Sequence, residues 1–74
     1  MNIKIEIEKL ITEGNELQLK ESKLNDFMFS DTHKGLSSEM QMLMGIQLSA
    51  MNQYLNTLDR RVCLMQDALA KLEK

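Results

Sequence analysis

Proline and tryptophan are absent from this chain, glycine occurs three times, and aromatic residues make up 4% of it. Without helix breakers or the aromatic and β-branched runs that build sheets, long helices are expected. A single cysteine, Cys63, excludes an internal disulfide, and with a single histidine, His33, it cannot form a metal-ligand cluster. No stretch approaches the roughly 20 consecutive apolar residues of a membrane-spanning helix. The N-terminus alternates charge with isoleucine and lacks the apolar run and cleavage site of a secretory signal, so a reduced, cytoplasmic setting is expected. Nine basic and eleven acidic residues give a net charge of −2 and no polybasic patch, which argues against duplex nucleic acid as a partner.

Against these absences stands a strong heptad pattern. Ile3, Leu10, Leu17 and Leu24 recur every seven residues, with Ile7, Gly14, Glu21 and Met28 between them, so a helix is predicted over about 3–29. Ile3, Ile5 and Ile7 alternate as in a strand, but nothing elsewhere offers a strand to pair with, and the segment is read as helix. Short polar residues and Gly35 mark a loop at about 30–36. Ser37 then provides an N-cap and Glu39 an acidic first turn for a second helix over about 37–73. From Met44 through Leu48, Met51, Leu55, Leu58, Val62, Met65, Leu69 and Leu72 its apolar series is unbroken. The expected fold is all-α: one domain, a two-helix antiparallel hairpin with a longer second helix.

A chain of 74 residues buries a modest core, and with neither disulfide nor metal to supplement it, assembly into a helical homo-oligomer is expected. The predicted helices would measure roughly 40 and 55 Å at 1.5 Å per residue. Folded together from the loop, the first should run out early and leave Met65, Leu69 and Leu72 uncovered. A second strip on the longer helix, Met40, Leu43, Gln47, Ala50 and Tyr54, is offset from the main seam and also calls for cover.

Chemistry-bearing residues are few. Cys63 shares its helix with no histidine, and His33 has no nucleophile held beside it, so binding is expected rather than turnover, with no cofactor. Lys34, Ser37 and Ser38 flank the N-terminus of the second helix, where orphan amides, hydroxyls and a cation suit an anion. Arg60 and Arg61, the two arginines of the chain, can grip phosphate or stack on a base. About 35 Å of helix separates Ser37 from Arg60, so both groups could serve one site only across subunits. His33 and Tyr54 are the candidate stacking surfaces. Capping serines, loop charges and interface ion pairs are the plainer account of the same residues. The methionines Met40, Met42, Met44 and Met51 suggest an adaptable groove for a helix of a host protein, or ordinary interface packing.

Phe27-Met28-Phe29, Leu36-Ser37-Ser38-Glu39, Leu43-Met44, Gln47-Leu48, Ala50-Met51, Tyr54, Leu58 and Arg61 together resemble a family of small bacteriophage helical-hairpin proteins related to crAss-like phages. The plan is also similar to the phage anti-CBASS and anti-Thoeris sponges, homo-oligomers that trap cyclic nucleotide signals between subunits without cleaving them. In that group a lysine just before an L-[ST]-x-E helix start contacts phosphate, and Lys34 before Leu36-Ser37-Ser38-Glu39 resembles it. Gly35 is inserted here, and the tyrosine, Tyr54, lies in the second helix rather than the first. The resemblance implies an anti-defence protein acting in the host cytoplasm, which sequesters a nucleotide-derived immune signal at subunit interfaces. Its ligand would be held by Lys34, Ser37 and Ser38 with Arg60 or Arg61, and stacked on His33 or Tyr54. The alternative is a helical module that binds and inhibits or adapts a host protein.

Overall fold

The computed structural model of the chain describes residues 2–73. Three helices follow one another, α1 (Ile3–Met28), α2 (Asp31–Lys34) and α3 (Ser38–Leu72). They form a rod of 57 × 17 × 15 Å in which α1 lies antiparallel along α3. The strand-like alternation at the N-terminus resolves as helix. Asn2 caps α1 by accepting from the Ile5 amide at 3.3 Å, Ile7 turns into the seam, and Ile5 stays exposed.

Both heptad series face each other as their spacing predicts. Ile3, Ile7, Leu10, Gly14, Leu17, Glu21, Leu24 and Met28 on α1 are all buried or half-buried, as are the α3 seam residues from Met44 to Leu69. Leu58 is the best-covered side chain, at 2% exposure. Polar clasps join the helices on either side of the seam. The Tyr54 hydroxyl donates to the Glu13 carboxylate, and the Asn52 amide, with its nitrogen turned inward, donates to Glu21 at 3.1 Å.

Two features depart from the sequence expectation. The segment 30–36 is not a loop throughout, because Ser30 caps the single helical turn of α2 and accepts from the His33 amide at 3.2 Å. The hairpin's excess length also lies at the opposite end. That turn carries the chain along the first residues of α3 before it reverses, so α1 spends its whole length against the rest. Its N-terminus therefore reaches the C-terminus of α3, where Lys4 pairs with Glu73 at 3.3 Å and Ile3 borders Leu69 and Leu72. Met65 and Leu69 are half-buried within the chain, and Leu72 remains 70% exposed.

Two helices side by side cannot enclose much. Among the described residues Ile7, Leu10 and Leu58 are the buried apolar side chains, against eleven large hydrophobics left exposed. Leu58→Ala is therefore expected to cost about 2–5 kcal/mol, which a drop in the urea midpoint would read. Gly14 has no atom within 4 Å of a Cβ built on it, so nothing in the chain requires a glycine there. Gly14→Ala should raise stability by up to about 1 kcal/mol through helix propensity alone. A lower midpoint instead would reveal another chain packed against Gly14.

Candidate functional site

The corner between the helices is built from local capping. Ser30 donates to the Phe27 carbonyl at 2.5 Å while accepting from the His33 amide, which fixes the direction in which α2 leaves α1. His33 is then driven inward. The residue is 7% exposed, and its ring stands edge-on to Phe27 at 5.9 Å and 84° and leaves Nδ1 buried without a partner among the described residues. The ring is a plug in the corner, not a free surface on which a base could stack.

Beyond the plug the polypeptide turns into α3 under a second set of restraints. Gln41 donates through Nε2 to the Leu36 carbonyl at 3.0 Å and the Lys34 carbonyl at 3.4 Å, tying the connection down. Ser37 caps α3, accepting from the Met40 amide at 3.1 Å, and Ser38 opens the helix with its side chain exposed. Lys34 projects from the end of α2, in a loose pair with Asp31 at 3.7 Å. Solvent screens that pair to little net energy, so the ammonium group can exchange Asp31 for another anion. The structure thus brings Lys34, Ser37 and Ser38 together at one end of α3.

Tyr54, Arg60 and Arg61 stand well down the same helix. Tyr54 and Arg61, two turns apart on one face, border a shallow depression floored by Ala50, Thr57 and Leu58. Arg60 points to another side, beside Asn56, Cys63 and Asp67. Neither arginine joins an ion pair among the described residues. Because α3 runs unbroken from Ser38 to Leu72, the lysine end and the arginine region stay about 35 Å apart within one chain. The structure joins Tyr54 to Arg61 and leaves both apart from Lys34, Ser37 and Ser38.

One feature escaped the sequence reading. A groove runs over Gly14 on the side opposite Tyr54, with Asn15, Gln18 and Ser22 on one rim and Asn52, Asn56 and Asp59 on the other. Its signal was present as polar, mostly uncharged residues at helical spacing on both helices. Only the pairing of the two rims makes it a groove.

Residues 6–64 match the model of the family described as Sequestin. The chain belongs to the Sequestin family. Neither the curated proteins nor the solved structures provide a match. The Sequestin match covers most of α1, all of α2 and α3 as far as Leu64, and so includes every candidate residue named above. The family's name implies a sequestering role, which accords with a hairpin that displays cations and an aromatic ring. Among the described residues no group of three or more histidine, cysteine, aspartate or glutamate side chains could hold a metal ion. No described helix is long and apolar enough to cross a membrane.

Electrostatics within this Sequestin-family hairpin are most informative at Tyr54. Its hydroxyl ionises above the ordinary phenol range, first because it donates to Glu13, then through desolvation and the repulsion a phenolate would meet from that carboxylate. Arg61 opposes the shift. Since Tyr54 is the chain's one tyrosine, ultraviolet absorbance titration reads it directly. Glu13→Gln should lower its midpoint, whereas Arg61→Ala should raise it further.

Proposed function

We propose that this chain is a phage or prophage anti-defence protein that binds a nucleotide-derived immune signal between subunits and withholds it without cleavage. Membership of the Sequestin family supports the withholding. The chemistry of the displayed groups supports a nucleotide as the thing withheld. The observation that carries the reading is a pair of separated half-sites, one where α2 leads into α3 and one further along α3. At one end a serine-capped helix start and Lys34 offer amides, hydroxyls and a mobile cation to phosphate; further along, Arg61 and Tyr54 offer a guanidinium and a half-exposed ring. Neither half suffices alone, because a phosphate held by one cation in water is held weakly. Across subunits, Lys34, Ser37 and Ser38 from one copy would hold the phosphates with Arg60 or Arg61 from another. Tyr54 would form the aromatic wall. His33 would contribute indirectly, by holding the turn that presents Lys34.

Binding without turnover belongs to the same proposal: Lys34, the serines and the arginines would stabilise the negative charge of a bound phosphate, a role that breaks no bond. A second reading has its own support: Met42 and Ile46, at 59% and 58% exposure, could dock a helix of a host protein.

Native mass spectrometry of protein purified from cells in which nucleotide immune signalling is active separates the two. A nucleotide-sized adduct on an oligomer, released intact on denaturation, is expected. Its recovery in cleaved form would overturn sequestration. Lys34→Glu should lower affinity for the released nucleotide at least tenfold, on the order of the 1.5–3 kcal/mol of a charge-assisted hydrogen bond. Met42→Glu should leave that affinity unchanged, and a protein-binding role predicts the reverse.

A further inference from the structure

From Met40 to Leu58 the chain carries no charged residue at all. That is five turns of α3, about 28 Å, and α1 covers one side of them only. On the uncovered side the apolar strip is more regular than its most hydrophobic members suggest. Leu36, Met40, Leu43, Gln47, Ala50, Tyr54, Thr57 and Arg61 alternate four and three residues apart, a complete second heptad seam. Met40, Leu43 and Tyr54 on it are 48–49% exposed, and Gln47, Ala50 and Thr57 are exposed as well. Depletion of charge over a large, solvent-facing, heptad-spaced surface marks the centre of a protein interface.

We infer that this seam pairs with the same seam of a second copy, antiparallel, with Gln47 and Ala50 beside the two-fold axis. The pattern selects both orientation and register. A heptad seam meets itself in antiparallel fashion only at shifts of whole heptads, and one such shift is centred on the charge-free stretch. It levels Met40 with Thr57 of the second copy, Leu43 with its Tyr54 and Gln47 with its Ala50, so that each layer sets a larger side chain against a smaller one. The flanking charges then match. Glu39 and Arg60 lie on the same outward flank of the seam, and antiparallel pairing places same-flank positions opposite each other. Glu39 of each copy therefore faces Arg60 of the other at both ends of the interface. A parallel pair would set the two copies of this flank on opposite sides of the interface, where Glu39 and Arg60 would face Met44 and Met65 and find no charged partner.

The same register has a consequence for the proposed binding site, and this part rests on that reading. Ser37 of one copy comes level with Arg60 and Arg61 of the other, which closes the 35 Å gap between the half-sites. The arginines divide their work. Arg60 is a positioning residue held by Glu39, whereas Arg61, on the seam face beside Tyr54, is left to meet the anion at Lys34 and Ser37. Each dimer carries two such sites.

Disulfide trapping tests the geometry independently of any ligand. In full-length protein with Cys63→Ser, Met40→Cys together with Thr57→Cys should give a covalent dimer on oxidation, since their Cα atoms would lie within disulfide reach. Met40→Cys alone should not, because the two copies of residue 40 would then stand about 25 Å apart. Crosslinking by Met40→Cys alone, or a monomer by light scattering, overturns the proposal. Charge reversal provides the second measurement. Arg60→Glu should weaken association about tenfold, two exposed contacts being turned from attraction to repulsion. Glu39→Arg combined with Arg60→Glu should restore it; failure of that rescue overturns the register. All these positions are exposed, and circular dichroism checks that each variant keeps its helix content. A trapped, rescued dimer that retains no nucleotide would leave the interface standing and sink the sequestration reading instead.

Discussion

Everything in this structure depends on one geometric constraint: two helices packed side by side share a single line of contact. A helix can bury one stripe against one neighbour, and the α1–α3 seam uses that stripe in full, from the Lys4–Glu73 pair to the His33 corner. Leu58 can be enclosed because it sits mid-seam with side chains on all sides. Nothing on the far side of α3 can be, whatever its hydrophobicity. The exposed methionines, leucines and tyrosine there follow from the architecture and do not reflect poor packing.

That constraint connects stability to function. A hairpin with so small a buried core leaves much apolar surface uncovered, and any surface through which it associated would decide which of its polar groups meet. Cations spread along a 57 Å rod are weak as individuals. The Sequestin family's name implies a sequestering role, and the chain's candidate cations stand apart, Lys34 just before α3 and Arg60 and Arg61 well along it. On the reading proposed above, assembly would turn these distributed groups into a site and would couple ligand binding to oligomer stability in both directions.

The corner formed by Ser30, Asp31 and His33 shows how a sequence signal can be present and yet be outweighed. A serine followed by an acidic residue is the same start signal that marked α3 at Ser37, yet the surrounding polar residues and Gly35 pointed to a loop. The helical turn holds through the Ser30 cap and through the His33 ring, which packs on Phe27 six residues back in α1. This turn takes up axial length, which is why the surplus of α3 lies at its N-terminus and Met65 and Leu69 are covered within the chain. Helix lengths alone could not reveal this, because they do not specify where along one helix the other begins.

The sequence by itself determined the two long helices, their heptad seams, the Ser37 cap and the faces on which Leu58 and Tyr54 lie. Those properties follow from spacing within a continuous helix, and spacing is local. Only the tertiary structure decided that His33 is buried rather than displayed, that Tyr54 is bound to Glu13, that Gly14 opens a groove and that α1 reaches the end of α3. The last three depend on axial register between two elements far apart in the chain, and the first on the direction in which α2 leaves α1. Packing sets that register, and no residue pattern within either helix encodes it alone.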